Sequence, residues 1–268
     1  MRSSAEPIVF PFIKIMAAIA DVFYTRHGNF HLPVGDEWIG PSMRSGQHWE
    51  TEILDKMLAA LPEGGVYVDA GSFVGTHTIP MARKARVALA FEPQRHIFQM
   101  LCTNAVTNGV TNLYPFNTAL GHLNHNVIRM NGTVPDGISK GQPIVFGGSS
   151  APINFGGTNI GAGGDVAEMR TLDSIYDQLS NTVNGLDVLK VDVQGAEPLM
   201  FYGARNTIAK YKPTIFYEID GRFGVTDEMR AQMDIPNVVV DFDIATFCAG
   251  LGYNPPVQLG YCDWMLTK

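Results

Sequence analysis

From residue 66 onward, short apolar runs alternate with longer stretches in which apolar positions recur at helical spacing. The runs at 66–70, 87–91, 112–119, 186–193, 214–219 and 261–266 read as strands. The stretches at 76–86, 94–108, 198–210 and 242–251 read as helices. Pro198 suits the first turn of its helix, where a backbone N–H would have no partner. This alternation predicts an α/β fold: a mostly parallel sheet with helices on both faces, joined by right-handed crossovers. Ligands of such sheets sit at the carboxyl ends of the strands, near the switch in strand order. The residues that end each strand therefore carry the search for function.

The rhythm breaks between about 124 and 168. Segments 127–130 and 144–146 read as a small hairpin, and the glycines at Gly147-Gly148, Gly156-Gly157 and Gly163-Gly164 as loop. This span is expected to be a Gly-rich insertion in a main domain of residues 61–268. Residues 1–60 are expected to form an N-terminal helical extension or cap. Within it, 8–20 is apolar and ends in Ala18-Ile19-Ala20, loosely as a signal peptide does. However, Glu6 stands where positive charge is needed, and Pro11 and Lys14 interrupt the run. The stretch is too short to span a membrane, so an amphipathic packing helix is expected, with a surface anchor as the alternative.

Composition narrows the class. Of the 268 residues, 46% are apolar, enough for a full core, while the low charged fraction of 17% leaves apolar surface for a second subunit, as in a homo-oligomer. The net charge of −7 argues against broad nucleic-acid binding, which draws on Lys and Arg to neutralise phosphates. Cys102, Cys248 and Cys262 lack CxxC spacing, so neither a disulfide framework nor a zinc site is expected, and the compartment is reducing, hence cytoplasmic.

The first strand ends in Asp69-Ala70-Gly71-Ser72-Phe73-Val74-Gly75-Thr76-His77. Glycines at 71 and 75 let the chain turn sharply and approach a ligand, and the next helix points its N–H groups into the same space. A dinucleotide fingerprint needs glycine where Phe73 stands. Asp69 suits a cationic ligand and repels phosphate. S-adenosylmethionine has an α-ammonium and a sulfonium and no phosphate, so Asp69, Gly71, Ser72, Phe73, Gly75 and Thr76 are read as its pocket. The second strand ends in Glu92-Pro93, where a carboxylate takes the ribose hydroxyls or is a solvated strand-end acid. Asn117, ending the third strand, meets the adenine edge or makes a turn.

The fourth strand ends in Asp192-Val193-Gln194-Gly195-Ala196-Glu197 and the fifth in Glu218-Ile219-Asp220. Asp192 is placed to orient the acceptor or take its proton, and Glu218 reaches the same end of the sheet. Glu197 better fits a helix cap. Lys190, inside the strand, is expected to pair with an acid. His77 faces the active site or caps its helix. No set of His, Asp and Asn is spaced to argue for a metal.

These residues, with Gly46-Gln-His-Trp-Glu50, Phe91-Glu-Pro, Asn104-x-x-x-Asn108, Thr171-Leu-Asp173, the 189–197 motif and Gly203-Ala, resemble the FkbM-type methyltransferases over roughly 28–264. The resemblance implies a Rossmann-like class I methyltransferase with seven strands, the last antiparallel. It implies S-adenosylmethionine-dependent methylation, usually of a hydroxyl on a sugar, glycan or small natural product. Asp69, Gly71, Glu92 and Asp192 carry over as cofactor-pocket positions, with Glu50 beside them. Gln194 departs from the family, which often has Glu there, and the Gly-rich insertion is longer than usual. The competing readings are a nicotinamide-dependent oxidoreductase, which Phe73 disfavours, and a catalytically silent binding module, which the acids at 69, 92 and 192 disfavour.

Overall fold

The computed structural model describes residues 19–147, 152–221 and 224–268. The helix expected over 8–20 lies almost wholly outside them. The rest of the N-terminal segment departs from the helical extension expected there. It opens with a hairpin, β1 (Ala20–Thr25) and β2 (Gly28–Pro33), followed by α1 (Ile39–Arg44) and α2 (Thr51–Ala60). Gly28, at φ +139°, makes the tight turn that closes the hairpin.

Beyond α2 come β3 (Val66–Ala70), α3 (Thr78–Lys84), β4 (Val87–Phe91), α4 (Arg95–Thr107), β5 (Leu113–Phe116), β6 (Thr118–Leu120), β7 (Asn126–Asn131) and β8 (Gly163–Arg170). The second half holds α5 (Leu172–Gln178), β9 (Val188–Val191), α6 (Glu197–Gly203), α7 (Arg205–Tyr211) and β10 (Thr214–Glu218). The chain closes with α8 (Asp227–Gln232), α9 (Asn237–Val240), α10 (Ile244–Gly250), β11 (Val257–Gln258) and β12 (Asp263–Leu266). None of the described helices is long and apolar enough to cross a membrane.

Seven strands form one sheet in the order β11-β12-β10-β9-β3-β4-β5. Strands β3, β4, β5, β9 and β10 pair in parallel, and β12 is antiparallel to both β10 and β11. Only β12 is therefore reversed, as the resemblance implied. The central strands are buried on both faces. Val66, Val68 and Ala70 pack with Leu189, Val191 and residues of α5, α6, α7 and α10. Tyr67, Ala88, Val188 and Phe216 face Leu54 and Met57 of α2 and Met81 of α3.

Three expected elements differ. The strand expected over 112–119 splits at Asn117, whose amide donates to the carbonyls of Glu92 (2.9 Å) and Pro93 (3.0 Å). Its second half, β6, leaves the large sheet and pairs with β8. The segment 127–130 lies in β7 and pairs with β8, not with 144–146, so the insertion carries a three-stranded sheet, β6-β8-β7. The helix expected over 198–210 breaks into α6 and α7 at Gly203, where a Cβ would lie 1.9 Å from the Gly121 carbonyl oxygen.

Two asparagines one helical turn apart tie the hairpin to the domain. Asn104 of α4 accepts from His31 N–H (2.7 Å) and donates to the carbonyls of His31 (3.1 Å) and Val74 (2.8 Å). Asn108 accepts from Asn29 N–H (2.9 Å) and donates to its carbonyl (2.7 Å). The pair serves β2 as a neighbouring strand would.

Candidate active site

The carboxyl ends of the parallel strands open into a cavity of about 300 Å³. Its floor starts at the turn after β3. Gly71 and Ser72 both donate their N–H to the Phe91 carbonyl at 3.0 Å, which ties the turn to the end of β4. Gly71 has φ +84°, and a Cβ there would lie 1.7 Å from the Asp192 carbonyl oxygen. Only glycine lets β3 and β9 approach so closely. Phe73 is left-handed at φ 49°, which turns its N–H onto Glu92 (3.0 Å).

Glu92 is buried at the end of β4 and also accepts from Gln94 N–H (2.8 Å). Burial pushes its pKa up to about 8, against the pull of these two N–H groups. The Ser72 hydroxyl and His77 Nε2 are buried, line the cavity and make no hydrogen bond among the described residues. Thr76 and Pro93 line it as well.

Three expected cofactor contacts stand elsewhere. Asp69 is buried and does not line the cavity: it accepts from Thr78 Oγ1 (2.6 Å) and lies 3.5 Å from the Lys190 ammonium. Gly75 packs against α4, where a Cβ would meet Leu101 at 2.8 Å. Asn117, as described, uses its amide on backbone carbonyls instead of a base edge.

The reaction end is built by β9 and β10. Lys190 reaches out of β9 to the Gly71 carbonyl (3.1 Å) and Asp192 (3.2 Å), confirming the expected ion pair. The surrounding carboxylates hold its pKa above the usual lysine range despite burial. Gln194 is left-handed at φ 52° and donates to Asp192 (2.7 Å) and Glu218 (3.4 Å), bridging the two acids. Burial would raise the pKa of Asp192, but Lys190 and the hydrogen bonds from Glu218 and Gln194 outweigh it and hold it low. The Asp192 charge, with burial, pushes Glu218 up to about 9. At neutral pH the pair therefore carries one proton, on Glu218. The Cys262 thiol donates to Glu218 at 3.0 Å. Glu197, in contrast, accepts from Val193 and Gly195 N–H (3.1 and 3.2 Å) and holds the loop between β9 and α6.

Glu50 precedes α2 in a left-handed conformation, φ 47°, with a carboxylate oxygen 3.5 Å from His77 Nε2. Burial, with Asp263 and Asp192, raises its pKa to about 8. Burial and Lys190 lower His77 to about 3, so its imidazole stays neutral and serves poorly as a proton acceptor. It also makes no side-chain cap for α3.

The roof comes from segments that the motif reading left aside. Asp36 and Trp38 join Asp136, Asn154 and Ile160 of the insertion in lining the cavity. Ile153 N–H bonds the Gly35 carbonyl (2.9 Å), Glu37 N–H bonds the Ile153 carbonyl (3.0 Å), and Gln94 donates to the Phe155 carbonyl (3.1 Å). The one sequence signal for this roof was the broken strand–helix rhythm.

Seven strands in this order with one reversed, a glycine turn after the first and an acid ending the second, define a Rossmann-like class I methyltransferase. The chain belongs to the methyltransferase FkbM domain family, which matches residues 67–240, and this domain uses S-adenosylmethionine as its methyl donor. No curated protein matches the sequence. Among solved structures, methyltransferase FkbM from Methylobacillus flagellatus KT is 14% identical with a TM-score of 0.45. That match covers 86% of this chain and 60% of the other, so this chain spans less than two thirds of that relative's length. An rRNA methylase from Streptococcus thermophilus is 11% identical (TM-score 0.38; 80% of this chain, 92% of that one). TYW2 of M. jannaschii, solved in complex with AdoMet, is 11% identical (TM-score 0.39; 92% of this chain, 83% of that one).

Proposed function

We propose that this chain methylates a hydroxyl oxygen on a sugar, glycan or small natural product, with Asp192 as the proton acceptor. The observation that carries this reading is the pair Asp192 and Glu218, bridged by the Gln194 amide where the strand ends face the cavity. Bound S-adenosylmethionine supplies a methyl group already activated by its sulfonium. The pocket fits that cofactor: Glu92 ends β4 on the cavity wall, where it would take the ribose hydroxyls, and Ser72 Oγ has no hydrogen-bond partner among the described residues. Glu50 lines the same cavity as Asp192, and the α-ammonium of the bound cofactor would favour loss of the proton that burial leaves on it.

The chain's own work is then alignment, proton removal and exclusion of water. As the hydroxyl oxygen bonds the incoming methyl it becomes three-bonded and positive, hence strongly acidic, so a carboxylate of low pKa suffices to receive the proton. Asp192 is ionised for this purpose, and Gln194 and Lys190 hold it in place. Glu218, protonated, keeps a second negative charge away from Asp192 until the transfer.

Calorimetric titration with S-adenosylhomocysteine, with NAD as the parallel control, tests the cofactor. Saturable binding is expected for the former alone, and Glu92→Ala should weaken it by about tenfold or more. Asp192→Asn should lower kcat on a hydroxylated acceptor by about 100-fold while changing S-adenosylhomocysteine affinity by less than about threefold. Equal losses in both would make Asp192 a cofactor ligand only, and binding of NAD instead would overturn the reading.

A further inference from the structure

The charge of the cavity sets the chemistry of what enters it. Seven carboxylates line it and a single ammonium, Lys190, a formal charge of −6; no arginine lines it among the described residues. Lys190 is turned inward, onto Gly71, Asp192 and Asp69. S-adenosylmethionine, with two positive groups and one negative, brings a net +1. Glu50, Glu92 and Glu218, with pKa values of about 8, 8 and 9, hold protons at neutral pH, and the cavity with cofactor in place still remains negative.

The excess lies away from the cofactor turn. Asp36 and Asp136 belong to the roof, and Asp220 follows β10 beside the protonated Glu218. Asp36 spends one oxygen on the N–H groups of Ile39 and Gly40 (2.7 and 2.8 Å), and Asp136 one on the Asn154 amide (2.6 Å). Two aromatic rings complete the lining: Trp38 is 53% exposed and Tyr261 82% exposed, although both are large and apolar. An exposed ring beside carboxylates is a surface for an alkylammonium or the C–H face of a sugar. Ser72 Oγ, buried on the cavity wall with no hydrogen-bond partner among the described residues, leaves a polar group there for a ligand.

We propose that the acceptor is cationic: a polyhydroxylated small molecule that carries an amine, its ammonium held among these roof and β10 carboxylates and its ring faces against Trp38 and Tyr261. This rests on the methyltransferase reading and goes beyond it by fixing the acceptor's charge. Acceptors bearing phosphate or carboxylate are excluded by the same field.

The test uses protein saturated with S-adenosylhomocysteine, so that it reads binding and not turnover. Glucosamine tetramer, kanamycin and 2-deoxystreptamine are titrated beside their N-acetylated forms, with galacturonate tetramer as the anionic probe. At least one amine is expected to bind about tenfold or more tighter than its acetylated form. Asp136→Asn, which keeps a partner for Asn154, should shrink that preference to about threefold or less without changing S-adenosylhomocysteine affinity. Raised salt should shrink it too in the unaltered protein, a check that needs no variant to fold. No amine preference anywhere in the panel, or binding of galacturonate, overturns the proposal. Failure of S-adenosylhomocysteine to bind overturns the methyltransferase reading instead, so the two failures are distinct.

Discussion

Gly71 shows how a single position holds both the sheet and the site. Its left-handed φ of +84° and the 1.7 Å that would separate a Cβ from the Asp192 carbonyl act together. Gly71→Ala would push the end of β9 away from β3 and move Asp192 with it. A loss of about 2–4 kcal/mol in urea-measured stability is expected, along with weaker S-adenosylhomocysteine binding. A fully stable variant would show that the strand ends are looser than this contact implies. At the same scale, Gln194 is a departure from the family pattern with a visible use. Its amide donates to both Asp192 and Glu218, where a third carboxylate would add repulsion.

Among the helices, Asp173 connects neighbours. It lies in the first turn of α5, yet accepts from Thr207 N–H (2.8 Å), Thr207 Oγ1 (2.7 Å) and Asn206 N–H (3.2 Å) at the start of α7. Asp173→Ala leaves those donors without a protein partner and should cost about 1–2 kcal/mol, read as a lower urea midpoint with unchanged cofactor affinity. The sheet was legible in the sequence because β3, β4 and β10 are apolar enough to be buried on both faces and end in acids or glycine. The failures have physical causes. The break between β5 and β6 comes with the Asn117 amide gripping two carbonyls in the turn after β4, which periodicity does not report. The pairing of β7 with β8 spans a long loop, and local pattern favoured the nearer 144–146. Asp69 was placed correctly at a strand end, but which way an acid turns depends on Lys190 and Thr78, contributed by other elements.

The whole molecule stores many buried acids, which should shape its pH response. Burial raises Glu50, Glu92 and Glu197 to about 8, 8 and 7, and Asp192 with burial raises Glu218 to about 9. In the unfolded chain these groups lose their protons near 4.5. Between the two values the folded state binds more protons, so stability falls as pH rises from about 4.5 to about 9. Buried His77 and His48 act oppositely: held at about 3 and 4, they stay neutral while an unfolded imidazole takes a proton below 6.5, so stability falls as pH drops through that range. The four acids outnumber the two imidazoles, so the ligand-free protein should show its highest Tm at about pH 4–4.5 and lose stability as pH rises toward about 8. Glu92→Gln should make the decline toward pH 8 shallower, and an unchanged slope would mean that Glu92 is ionised in the free protein.

The roof has a further consequence. Asn131 and Gly163 face each other across β7 and β8, and the Gly132 N–H meets the Ala162 carbonyl at 2.9 Å. The segment between them leaves and re-enters the small sheet at one point, while Asp192, Gln194 and Glu218 stand on separate strands of the large one. Such a cassette can be exchanged, lengthened or trimmed over evolutionary time without disturbing the groups that carry out the transfer. A lineage built on this scaffold is free to change its taste while keeping its chemistry.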